Sequence, residues 1–257
     1  MRNLIVLFGL VVIASCSNRQ ETANAAESEK EVSNKQDNIL TTEEQEAGWR
    51  LLFDGQSTAG LRNYGKETLG KRWVVEEGTL HFQGKDSNDT SWYASDGGDV
   101  IITDKEYENY ELRLDWKISN AGNSGIIYNV IENENFEQVW QTGPEMQILD
   151  NAAHPDAKIE KHQAGDLYDL IACSEVTVKP AGEWNEVRLV VNKGKVEHWL
   201  NGVKVVETEM WTDNWNEMVS GSKFGDMPGF GTGRKGHVAL QDHGDKVWFR
   251  NIKIREL

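Results

Sequence analysis

Residues 143–157 read GPEMQILDNAAHPDA, and five of their side chains can do chemistry: Glu145, Gln147, Asp150, His154 and Asp156. Carboxylates and imidazoles are the usual carriers of protons at neutral pH, and amides are the usual partners of hydroxyls. The segment starts with strand alternation. Glu145 and Gln147 share one face, Met146 and Ile148 the other, so the polar pair should look outward while the apolar pair enters a core. The strand then breaks into a polar turn that can aim His154 over its mouth. GHVALQDHG, near the C-terminus, repeats the pattern. Val238 and Leu240 point inward, while His237, Ala239, Gln241 and His243 take the open face, and Asp242 braces the turn.

Other candidates gather around these. Lys223 in SKFGDMPG can neutralise a developing oxyanion. Tyr168 in AGDLYDL and Trp140 in VWQTGPE can form walls on which sugar rings stack. Tyr128 in GIIYNV, with His198 or Trp199 in VEHWLNG, is assigned to the same surface. His162, in the charged loop EKHQ, is the weakest imidazole. Glu145 with His154 or His243 is a possible holder of a divalent ion, although no compact His or Cys pair signals zinc. The metal question stays open on sequence alone. No glycine-rich loop opens a helix after a strand, so nothing points to a nucleotide cofactor.

The elements that must position these residues are short β-type runs broken by Gly, Asn and Asp. In YENYELRLDWKIS, Tyr110, Leu112, Leu114 and Trp116 fall on one face. WNEVRLVVNKGKVEHWLNGVKVVE reads as a three-stranded meander with tight turns. Helix is confined to a turn or two in WTDNWNEMVSGSKF and in HPDAKIEKHQAG. The fold class is therefore all-β, a two-sheet antiparallel sandwich with polar and aromatic side chains on one concave face.

The first residues, MRNLIVLFGLVVIASCSN, have a basic start and an apolar run too short for a membrane span. Ile13-Ala14-Ser15-Cys16 resembles a bacterial lipobox, which implies lipidation of Cys16. Residues 1–16 are read as this signal, 17–47 as a disordered acidic tether with a short helix capped by Thr42 at its end, and 48–257 as one domain. Contact with a membrane is expected only through the lipid anchor, and the location is exported, periplasmic or at the outer membrane of a bacterium. Without Cys16 only Cys173 remains, so the domain stands on its core and not on a disulfide. The formal charge is −15, from 27 basic and 42 acidic residues, with no basic cluster. Nucleic acid is excluded as a partner on that ground.

LFDG, YELRLDWKIS, GNSGIIYNV, WQTGPEMQILDNAAHPD, GEWNEVRLVV, VEHWLNGVKVVE, SKFGDMPGFG and GHVALQDHGDKVWFRNIKIREL occur in that order. Together they resemble the 3-keto-disaccharide hydrolase domain family from about Gly48 to Leu257. The resemblance implies a concanavalin A-like jelly roll and cleavage of glycosides oxidised at sugar C3. It also implies a separate sugar 3-dehydrogenase that makes the ketone. A 3-keto sugar has an acidic C2 hydrogen, so the expected route is C2 deprotonation, elimination and hydration. His154, Glu145 and His243 would be catalytic, and Gln147, Gln241, Tyr128, Trp140, Tyr168 and Lys223 would bind substrate. Three rivals stand beside it. One is a carbohydrate-binding module, one a structural envelope protein, and one a conventional glycosidase with Asp150 or Asp166 as the second carboxylate.

Overall fold

The computed structural model describes residues 36–257 apart from Trp92. The expected signal segment, Cys16 and most of the tether lie outside the described residues. In chain order the elements are α1 (Thr42–Glu46), β1 (Arg50–Leu51), β2 (Arg62–Asn63), β3 (Trp73–Glu76), β4 (Thr79–Phe82), β5 (Val100–Ile101) and β6 (Tyr110–Ile118). There follow β7 (Asn123–Val130), β8 (Glu145–Leu149), β9 (Asn185–Asn192), β10 (Lys195–Leu200), β11 (Val203–Glu209), α2 (Asp213–Ser220), β12 (His237–Leu240) and β13 (Val247–Glu256).

The strands form two antiparallel sheets, a jelly-roll sandwich. The larger runs β11-β10-β9-β6-β13-β4-β3, with β1 on β13; the smaller runs β2-β5-β12-β7-β8. Alternation explains which side chains lie between them. Tyr110, Leu112, Leu114 and Trp116 of β6 are at most 1% exposed and meet Met146 and Ile148 of β8 and Val238 and Leu240 of β12 in one core. Full burial of each such side chain contributes about 2–3 kcal/mol before entropy is counted. The meander of β9, β10 and β11 pairs in the register its turns dictate, with Asn201 and Lys193 in left-handed conformation at the corners.

The folded chain begins earlier than the boundary expected at residue 48. Asp37 and Asn38 are pinned to β13: Asn38 N–H donates to Asn251 Oδ1 (2.7 Å), Asn251 N–H donates back to Asn38 Oδ1 (2.8 Å), and Arg250 pairs with Asp37 (2.8 Å). The cap of α1 is Thr41 and not Thr42; its hydroxyl accepts from Glu44 N–H while the Glu44 carboxylate accepts from Thr41 N–H, a capping box. Glu44 also pairs with Lys253. These contacts offset the chain entropy that the polar composition of the segment left unbalanced. Among the described residues no helix is long and apolar enough to cross a membrane.

Candidate active site

The site lies on the outer face of the smaller sheet, and strand register builds its floor. Residues directly opposite in antiparallel strands share a face. Ile101 (β5), Ala239 (β12), Ile127 (β7) and Glu145 (β8) are paired in succession and make one row. The first three join Val130 and Val139 in a small apolar cluster outside the main core. Two residues along, Gln241, Gly125 and Gln147 form the next row, joined by the Gln241 N–H to Gly125 carbonyl bond (3.0 Å) and the Gly125–Gln147 pairing. His243 and Asn123 stand beyond. An apolar row thus backs a polar floor.

Loops complete the walls. Residues 165–168 run along the free edge of β8: Gly165 N–H donates to Gln147 O (2.8 Å) and Tyr168 N–H to Glu145 O (3.0 Å). That edge pairing brings the Tyr168 ring level with Glu145. The loop after α2 supplies Lys223, Phe224 and Met227, and the turn at Val139–Gln141 supplies Trp140. Together with Asn123, Glu145, Gln147, Gln241 and His243 they enclose about 550 Å³. The Lys223 ammonium sits 3.9 Å from the centre of the Tyr168 ring, a cation–π contact. Asp169 holds the loop in place by accepting from Lys223 N–H (3.0 Å) and from His162 Nε2 (3.1 Å). His162, 4.2 Å from Tyr168 between ring centres, backs this wall.

Glu145 is 7% exposed. Its carboxyl leans over Gly125, where a Cβ would overlap Oε1. The Gln147 amide contacts Asn123 Oδ1 at 3.3 Å in one orientation. Turned over, its nitrogen donates to Glu145 Oε1 (2.9 Å) and Ser124 O (3.1 Å), which satisfies both of its ends. Burial pushes the Glu145 carboxyl up to about 8, against the opposing pull of the Lys223 charge and with a smaller push from Asp99. Burial likewise lowers Lys223 from the usual ammonium range, partly offset by Glu145, Asp169 and Asp156. His243 is lowered by burial, so its imidazole is neutral near pH 7. Gln241 is 6% exposed, and its Oε1 is buried with no partner, an acceptor waiting for a donor.

His154 is on the rim and does not line the cavity. It caps the helical turn Pro155–Lys158, accepting Asp156 N–H at Nδ1 (3.1 Å). In the neutral ring the proton is therefore on Nε2. Its ring centre lies 6.4 Å from that of His243.

Several expectations are corrected. Tyr128 is not at the site: Gly125 and Ile127 take the outer face, so Tyr128 turns into the core, fully buried, its hydroxyl 3.1 Å from His198 Nε2. His198 Nδ1 is 3.0 Å from Gly165 O, and burial lowers this imidazole to about 4. Trp199 is on the other sheet under Arg188, 4.7 Å from its guanidinium. His237 does take the open face, opposite Val130, but beyond the apolar row, 3.0 Å from Thr103 Oγ1. Asp150 is spent on Ala121 N–H (2.8 Å) and Ala152 N–H (3.1 Å), and Asp166 on Gln163 and Cys173 N–H (both 2.7 Å), so neither faces Glu145 as a second glycosidase carboxylate. Asp242 does brace the turn, accepting from Gly98 (2.7 Å) and Gly244 (2.8 Å). Among the described residues no group of three or more His, Cys, Asp or Glu that could hold a metal ion occurs. Sequence reasoning missed Asn123, Phe224 and Met227 as lining residues; the Asn123 alternation with Gly125 was the available signal.

The molecule is thus an antiparallel β-sandwich with a lined pocket on the outer face of its smaller sheet. Residues 48–255 match the 3-keto-alpha-glucoside-1,2-lyase-like domain, and the chain belongs to that family. It is 35% identical over 277 aligned positions to a 3-keto-disaccharide hydrolase of Bacteroides thetaiotaomicron, spanning 96% of this chain and 94% of the relative. Two crystallised candidate glycosyl hydrolases of Parabacteroides distasonis share the fold. One is 32% identical, with TM-score 0.76 over 86% of this chain and 100% of that one. The other is 28% identical, with TM-score 0.60 over 81% and 99%.

Proposed function

We propose that this chain cleaves glycosides whose sugar carries a ketone at C3, by elimination followed by hydration. The observation that supports the reading best is the buried Glu145 carboxyl, set between Lys223 and the Gln147 amide in a cavity that also holds a neutral His243. A ketone at C3 acidifies the C2 hydrogen. His243 takes that proton, and the electron pair moves into a C2–C3 enolate whose oxygen the Lys223 ammonium steadies. The enolate collapses, the C1–O bond breaks, and Glu145, which keeps its proton at pH 7, gives it to the leaving oxygen. Water then adds at C1 and C2 regains a proton, so the net reaction is hydrolysis. Gln241 Oε1 accepts from a sugar hydroxyl, and Tyr168, Trp140 and Phe224 supply apolar faces for the ring. The name of the Bacteroides relative agrees with this substrate class.

The chain would act downstream of an oxidoreductase that installs the ketone, and its N-terminal signal and Cys16 would place it outside the cytoplasm on a lipid anchor. Globomycin-sensitive processing with mass-spectrometric detection of a lipidated Cys16 tests the anchor. The activity is tested by incubating the domain with a glucoside and its 3-keto derivative in heavy water. Cleavage of the keto form alone, with deuterium at C2, is expected. Cleavage of both without deuterium at C2 overturns the elimination route in favour of direct hydrolysis. Binding without cleavage of either makes the domain a carbohydrate-binding module.

A further inference from the structure

A second buried carboxyl lies on the same floor. Leu240 pairs with Val100 on one side and with Ile126 on the other. One step further along, the register sets Asp99 beside Gln241, so that Asp99, Gln241, Gly125 and Gln147 make a continuous row on the pocket face. Asp99 is 5% exposed, and its Oδ1 accepts Asp242 N–H (2.9 Å). Gly125 carries no side chain, and Glu145 leans into the gap this leaves. On the register the Gln241 position lies between the two carboxyls, and Tyr93 faces both. With strands about 4.8 Å apart, roughly two spacings lie between the Asp99 and Gly125 backbones.

We infer that Asp99 is a positioning residue for the proton of Glu145: through the low-dielectric floor its carboxylate makes ionisation of Glu145 costlier and so keeps the acid loaded. It acts through Glu145 and does not touch the reacting atoms. The titratable groups facing Glu145 are Lys223 from the loop after α2, Tyr168 from the edge segment, Tyr93 from the loop before β5, and Asp99. Those facing Asp99 are Asp242 and Tyr93. Burial raises Asp99 to about 7, with a smaller push from Asp242. Both carboxyls thus titrate close to the working range, Asp99 first. The inference rests on Glu145 as the acid of the proposed reaction, but the coupling exists with or without that substrate.

The test follows the side-chain carboxyl carbons of the whole chain, labelled with ¹³C at Asp and Glu, through a pH titration without substrate. Asp99→Asn and Glu145→Gln assign the two resonances. In Asp99→Asn the Glu145 midpoint should fall by ~0.5–1 pH unit, the size of one charge acting across this distance in a partly buried site. Glu145→Gln should remove the upper step and leave the Asp99 midpoint nearly in place, because Glu145 still holds its proton while Asp99 titrates. If Asp99→Asn does not fold, Asp99→Ser takes its place, read by the same Glu145 midpoint. A Glu145 midpoint that does not move overturns the inference. Where 3-keto-glycoside cleavage is measured, the alkaline limb of kcat/KM should move down with the Glu145 midpoint, whereas a merely structural loss lowers the rate equally at every pH. Coupled titrations in a protein that cleaves no 3-keto-glycoside would leave the inference standing and remove the proposed reaction. Cleavage with uncoupled titrations would do the reverse.

Discussion

The carboxyl of Glu145 occupies the space that a side chain on Gly125 would fill. The acid of one strand is seated in the gap of its neighbour, and its depth comes from that vacancy as much as from its own position. Gly125→Ala should push Glu145 outward while leaving the sheet paired. The expected result is a fall in kcat of about 10²-fold with a small change in thermal midpoint, since misplacement of an acid by about 1 Å costs on that order. Circular dichroism and steady-state kinetics on one preparation check it.

Burying Glu145 makes stability depend on pH. Its carboxyl titrates at about 8 in the fold and near 4.5 unfolded. Between those values the folded chain holds a proton that the unfolded chain has lost, so stability falls as pH rises from about 4.5 to 8. Glu145→Gln has no such proton to lose. Its thermal midpoint should match the parent near pH 4.5 and exceed it by on the order of 10 °C at pH 8, read by calorimetry across the series.

Lys223 pulls in the other direction. Its charge holds Glu145 down, so Lys223→Met should move the alkaline limb of activity to higher pH. With the ammonium gone from the enolate, kcat should also fall, by about 10²-fold. A lower rate without movement of the limb would show that Lys223 does not face Glu145 in the working enzyme.

The two imidazoles should separate. His243 lines the cavity and His154 only approaches it. His243→Ala should lose about 10³-fold in kcat, within the range of a general base. His154→Ala should lose about tenfold or less. Rapid-quench turnover of the keto substrate distinguishes them, and the opposite ranking would return the base to the rim.

Tyr128→Phe is the control on the core side. It removes the hydrogen bond to His198 and leaves the site untouched. Stability should drop by about 1 kcal/mol, and kcat should not change.

Glu145 and Gln147 were legible in the sequence because EMQIL alternates cleanly and β8 keeps that alternation to Ile148. The same logic, applied strictly to β7, would have sent Tyr128 inward with Ile126; residue type was allowed to outweigh parity. His237 keeps the parity of Ala239 and shares the open face with Val130, but it stands beyond the apolar row, away from the pocket. Phe224 and Met227 reach the pocket through a loop about eighty residues downstream of Glu145, latched by Asp169 to a segment on the β8 edge. Such long-range closure leaves no periodic trace. Asp99 was visible as the polar start of DVIITD, yet its partners are all on other strands.

The clamp of Asp37 and Asn38 on β13 has a practical consequence. The chain enters the fold on the larger sheet, while the cavity opens from the outer face of the smaller one. Anything joined ahead of Asp37, whether an affinity resin, a fusion partner or a bead, pulls from the back of the sandwich. An immobilised domain held this way should present its cavity mouth to the passing solution and turn over at the same rate as the free one.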